Sequence, residues 1–153
     1  MSAVASEPFV LATIAVPVNV TAGNVLNLLT SYFEGGVGEG FRGFVKPSPA
    51  TVDAIKNSPE YKAICEELGD ESEPVCYVAP LIPGHSIGWK MDDPEDCDKI
   101  VVKTITLKEI QKGLELMAEK HPRHFADFIA ENDDAITADV FCQLVAYGDV
   151  IFG

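Results

Sequence analysis

Residues 105–148, ITLKEIQKGLELMAEKHPRHFADFIAENDDAITADVFCQLVAYG, constrain the fold more than any other stretch, because they predict three consecutive amphipathic helices with very short connections. Thr106 and Glu109 form a Thr-x-x-Glu capping box, so a helix is expected from Leu107. Leu107, Ile110, Leu114 and Met117 follow at spacings of 3, 4 and 3, one stripe of a helix. Lys108, Glu109, Gln111, Lys112, Glu115, Glu119 and Lys120 fill the opposite face. Pro122 ends this helix by biasing the residue before it away from helical dihedrals. A second, shorter helix carries Phe125, Ala126, Phe128 and Ile129. After the turn Asn132-Asp133-Asp134, either Asp134 or Thr137 can cap a third helix with Val140, Phe141, Leu144 and Val145 on one face, and Gly148 suits its C-terminal cap. Helices this short are not stable alone, so their stripes need a common partner.

The rest of the chain supplies that partner. Residues 9–18 (FVLATIAVPV) are apolar and rich in β-branched side chains, which predicts a strand buried on both faces with Pro17 near its end. Thr21 can cap a core helix carrying Val25, Leu26, Leu28, Leu29, Tyr32 and Phe33, closed by Gly35 and Gly36. Residues 35–43 hold five glycines, but no Lys-Ser/Thr pair follows and the helix precedes them, so a surface loop is expected rather than a phosphate cradle. Ser48-Pro49 and Ser58-Pro59 read as helix starts. Residues 75–82 (VCYVAPLI) predict a strand, Pro83-Gly84 a turn, and residues 85–91 and 99–105 two further strands. Residues 149–153 can pack down or add an edge strand. The expected architecture is α+β in one domain, residues 1–153: an antiparallel sheet of three to five strands, helices on one face and a C-terminal three-helix segment.

The residues EKHPRHFADFIAENDDAITADVFCQLVAYGDVIFG, and Phe-Glu-Gly-Gly at Phe33 to Gly36, carry a resemblance. They are similar to the Pro-x-His-Phe-Ala-Asp, Thr-Ala-Asp and Glu-Gly-Gly elements of a family of small tailed-phage accessory proteins of unassigned function. In this chain Val-Gly-Glu-Gly-Phe stands where the family continues with a small polar residue and aromatics. The resemblance implies a viral origin and supplies no activity, since the family has no agreed catalytic residues.

Charge is the least ordinary property. Eleven basic residues against 24 acidic ones give −13, a balance that repels duplex DNA and anionic membrane surfaces. The excess sits in the middle: residues 51–100 hold 12 acids and 4 bases. Two loops carry most of it, one with Glu66, Glu67, Asp70, Glu71 and Glu73, the other with Asp92, Asp93, Glu95, Asp96 and Asp98. Such runs ordinarily keep a protein soluble. Acids spaced along one surface also fit a groove whose lysines and arginines are arranged for a phosphate backbone. Trp89, the sole tryptophan, lies between the loops in sequence, where it anchors an interface if exposed and packs the core if not.

Catalytic patterns are weak. Gly-His-Ser-Ile-Gly around Ser86 has the spacing of a nucleophile elbow, but no helix is expected after it. His121 and His124 flank Pro122 and read as helix-end residues, and His85 stands alone beside a turn. The second acidic loop lacks the glycine of a calcium loop, and its twelfth position is Lys103. Cys65, Cys76, Cys97 and Cys142, at spacings of 11, 21 and 45, contain no Cys-x-x-Cys and are expected as free thiols in a reducing cytoplasm. No basic segment precedes an apolar run at the N-terminus, so no signal peptide is expected.

These readings favour a non-enzymatic, cofactor-free and metal-free phage protein in the infected cell's cytoplasm. It would act as a nucleic-acid mimic of anti-CRISPR or anti-restriction type, binding a host protein with a basic surface through the two acidic loops and Trp89. It would contact neither nucleic acid nor membrane, and a homodimer is open. The alternatives are a small hydrolase or metal-dependent enzyme using Ser86 or His85, or a phage accessory protein assembling with itself or with other phage proteins.

Overall fold

The computed structural model describes residues 6–35 and 40–153. The order of elements is α1 (Ala22–Glu34), β1 (Phe41–Phe44), α2 (Pro49–Lys56), α3 (Pro59–Leu68), α4 (Val75–Val78) running into a 3-10 turn (Ala79–Leu81), β2 (Ile87–Asp93), β3 (Asp96–Ile105), α5 (Leu107–Lys120), α6 (Pro122–Ile129) and α7 (Ala135–Tyr147). Helices and one antiparallel sheet, ordered β1-β2-β3, make an α+β fold.

Local capping chemistry sets most helix ends. The Thr21 hydroxyl accepts from Asn24 N at 3.1 Å, Ser48 from Thr51 N at 3.2 Å and Ser58 from Tyr61 N at 3.2 Å. The Thr106–Glu109 capping box forms as expected, with Thr106 N donating to Glu109 at 2.8 Å. Asp134 rather than Thr137 caps α7, accepting from Thr137 N at 2.9 Å. Gly69 and Gly148 close α3 and α7 at φ 73°, a left-handed conformation that favours glycine.

One apolar core gathers Leu26, Leu28, Leu29, Ile55, Val78, Ile82, Trp89, Met91, Ile105, Ile110, Met117, Phe141 and Leu144. One side of α1 faces it with Val25, Leu26, Leu28, Leu29 and Tyr32, whereas α7 is buried from Thr137 through Ala146. The core side of the sheet carries Phe41, Phe44, Ile87, Trp89, Met91 and Ile105, with Val101 and Lys103 partly covered. Val45, Gly88, Lys90, Ile100, Val102 and Thr104 lie on the other side, where Ile100 and Val102 stay more than half exposed.

Several expectations are corrected. Residues 75–82 form α4 and a 3-10 turn, not a strand. An unbroken apolar run does not distinguish the two by periodicity, and Pro80 lacks the N–H a ladder needs. Residues 9–18 form no strand, pair with nothing among the described residues and are exposed. Most of the second acidic loop is strand: β2 runs to Asp93 and β3 begins at Asp96, leaving Pro94-Glu95 as a two-residue turn. The glycine-rich stretch contributes β1, while its residues 36–39 lie outside the described part.

The buried stripe of α5 is Ile110, Gly113, Leu116 and Met117, with Leu114 only half covered, so the stripe is rotated from its expected phase. The rotation is set by α7, which approaches at Gly113, where a Cβ would stand 2.5 Å from Val145 Cγ2. The C-terminal tail packs down rather than adding a strand: Gln143 Oε1 accepts from Ile151 N and Phe152 N, each at 2.8 Å, and its Nε2 donates to Phe152 O at 2.9 Å.

Candidate interaction surface

The acids that the sequence groups together take different roles in space. In the first group, Gly69 ends α3 and the backbone turns back, with Asp70 N donating to Cys65 O at 3.0 Å. This leaves Glu66, Asp70 and Glu71 exposed. Glu67 is engaged elsewhere. Its carboxylate accepts from the Thr21 hydroxyl at 2.7 Å and from Gly23 N at 3.3 Å, at the positive end of α1. Glu67 therefore fastens α3 to α1.

Glu73 is also held back. Its backbone N donates to the Tyr61 hydroxyl at 2.9 Å, and that hydroxyl donates to Glu73 O at 2.8 Å. Partial burial, a hydrogen bond with Asp70 and the charges of Asp70 and Glu34 push its carboxyl up to about 7. At neutral pH Glu73 is therefore far from fully charged. Glu34, at the negative end of α1, hydrogen-bonds Tyr77 and joins this neighbourhood. The role of Glu34 was not legible from its own segment, because the residues it meets are about forty positions away.

The second group sits on the β2–β3 hairpin. Asp92 is 7% exposed and receives a two-point contact from Arg42, Nε to Oδ1 at 2.7 Å and Nη2 to Oδ2 at 3.1 Å. Asp92 is thus removed from the candidate surface, and Arg42 is the residue the sequence reading missed. The Asp93 and Asp96 carboxylates accept from Glu95 N at 3.0 Å and Asp98 N at 3.2 Å, which tightens the turn. Glu95 and Asp98 are exposed, and Asp93 and Asp96 partly so. Among the described residues, the cations set against these acids are Arg42 on Asp92 and Lys99, 3.8 Å from Asp96. Near the turn of the hairpin the Tyr147 hydroxyl donates to Asp92 O at 2.7 Å. Burial, then Asp92, Cys97 and Asp93, push that phenol up to about 12.

Trp89 is fully buried and cannot anchor an interface. Its ring stands 5.5 Å from Phe33 and 6.4 Å from Tyr32, inside an aromatic cluster with Phe41. It was placed between two surface loops only by sequence, and the inward side of β2 decides its fate.

The sites of the enzyme alternative do not assemble. Ser86 immediately precedes β2, so strand and not helix follows it, and the nucleophile-elbow geometry is missing. Ser86 and His85 line a shallow cleft with Val45, Lys46, Thr51 and Val102 that contains no acid to orient the histidine. His124 Nδ1 lies 2.9 Å from the Thr137 hydroxyl and ties α6 to α7. Cys65 and Cys142 are buried, Cys76 half-buried and Cys97 exposed, all as free thiols. Among the described residues no group of three or more His, Cys, Asp or Glu is placed to hold a metal ion, and no helix is long and apolar enough to cross a membrane. Searches of protein families, curated proteins and solved structures find no match for the chain.

Proposed function

We propose that this chain is an acidic binding protein that occupies a basic, nucleic-acid-binding surface of a host defence complex of CRISPR or restriction type, in the cytoplasm of a phage-infected cell. The phage setting rests on the resemblance of the C-terminal region and the Glu-Gly-Gly element. The binding mode rests on one observation. After Glu67, Glu73, Asp92 and Trp89 are assigned to the fold, Glu66, Asp70 and Glu71 beside α3 and Glu95 and Asp98 on the hairpin remain exposed, and no cation among the described residues is set against them. Carboxylates left in this state attract a basic groove and steer the encounter.

The reading requires binding to weaken steeply with salt, since exposed charge pairs are screened. The test is inhibition of duplex DNA binding by a DNA-binding defence complex at two salt concentrations. Glu95→Lys with Asp98→Lys, or Glu66→Lys with Glu71→Lys, should slow association while leaving the melting temperature near wild type. Lys108→Glu with Lys112→Glu, on the exposed side of α5, should not weaken inhibition. If both acid-reversed pairs inhibit as well as wild type, the proposal is wrong.

A further inference from the structure

Residues 6–19 pair with nothing among the described residues. Residues 6–20 form neither helix nor ladder, and Phe9, Leu11 and Ile14 are 91%, 89% and 80% exposed. No Asp, Glu, Lys or Arg occurs from Pro8 to Phe33. Val10, Thr13, Ile14 and Val16 are β-branched, and residues 9–16 contain neither glycine nor proline. This is strand sequence without a strand to join. An apolar stretch of this length left wholly in water marks a contact yet to be made.

The sheet offers a matching vacancy. β3 is its last strand, so one side of Asp96–Ile105 pairs with nothing among the described residues. An unpaired strand edge is a template for an added strand. Residues 9–18 and β3 are each ten residues long and, at about 3.3 Å per residue, each spans about 33 Å. Ile100 and Val102 are 56% and 57% exposed on the outer side of the sheet, next to the place where one row of an added strand's side chains would lie.

We propose that residues 9–18 of one copy add as a strand to the β3 edge of a second copy, and that the exchange is reciprocal. The chain's own edge is not the seat, since its own segment stands in water. The origin of the segment suits closure by a two-fold axis. Val20 and Thr21 line a cleft with Leu107 and Ile110, and Leu107 follows the end of β3 by two residues, so donor root and acceptor edge are neighbours on one molecule. Ten donor and ten acceptor residues per copy reach the roughly 20–30 residues a side of a standard interface. Two chains of net charge −13 repel each other, but the donor segment is uncharged, so salt should strengthen this association. That is the opposite salt dependence from binding to a basic partner, and the two proposals fail separately.

The experiment is sedimentation velocity on the full chain over a concentration series to about 0.1 mM, together with amide hydrogen exchange. The expected result is a doubling of mass that is enhanced by salt, with slow exchange at residues 9–16 and along β3. Thr13 and Ile14 are successive residues, exposed in this structure, so in either register one of their two N–H groups faces β3. Of Thr13→Pro and Ile14→Pro, made separately, at least one should return the mass to that of a monomer and abolish the protection while leaving the helical far-UV dichroism unchanged. A wild-type monomer throughout the series would overturn the proposal. So would a dimer that survives both Thr13→Pro and Ile14→Pro, or protection of residues 9–16 in a monomer, which would seat the segment on its own chain.

Discussion

Gly113 offers the sharpest test of the helix packing. In an exposed helix, Gly→Ala stabilises by about 1 kcal/mol, because alanine loses less backbone freedom. At Gly113 the new Cβ would meet Val145 Cγ2 at 2.5 Å, Val145 N at 3.3 Å and Phe141 Cε2 at 3.4 Å. Val145 is β-branched and has little rotamer freedom to yield in a helix. Overpacking of this kind costs roughly 1–3 kcal/mol. Gly113→Ala is therefore expected to be destabilising by about 0–2 kcal/mol net, read by urea unfolding at constant m-value. Val145→Ala removes the clashing carbon and should by itself cost about 2 kcal/mol, since Val145 is 6% exposed. In that background Gly113→Ala should be at least about 1 kcal/mol more favourable than in wild type, a coupling within the range of residues in contact. A Gly113→Ala variant that is about 1 kcal/mol more stable than wild type, with no coupling to Val145, would refute the packing of α5 on α7.

Two further perturbations probe the acids and the thiols. The folded-state pKa of Glu73 is raised from 4.5 to about 7, so between these values the unfolded chain binds fewer protons and stability falls as pH rises. Glu73→Gln should flatten that fall and leave the variant more stable than wild type above pH 7, measured as melting temperature against pH; an unchanged pH profile would show that Glu73 titrates as an ordinary carboxyl. Exposed Cys97 should react with a thiol reagent in the native state, while buried Cys65 and Cys142, whose thiol in the latter is pushed up by burial, should react only on unfolding; fast native-state labelling of Cys142 would contradict its place in the core.

The sequence by itself determined the parts whose chemistry is local. The caps at Thr21, Ser48, Ser58, Thr106 and Asp134 need only an N–H three residues or fewer away, and Gly69 and Gly148 need only the conformational freedom of glycine. Helix starts and stops were legible for that reason, as was the negative charge of the middle of the chain. Tertiary structure decided whatever depended on a distant partner. Two similar apolar runs, residues 9–18 and 75–82, become an exposed segment without secondary structure and a helical turn packed on the core, because an apolar run states a need for burial without stating against what. The phase of α5 turns on Val145, which is 32 positions from Gly113. Among the candidate site residues, Arg42 takes Asp92, the positive end of α1 takes Glu67, burial beside Asp70 and Glu34 raises the Glu73 carboxyl, and the inward side of β2 takes Trp89. A run of acids reports how much charge a segment carries, and only the fold assigns which carboxylates are spent on the protein's own cations and amides and which still face water.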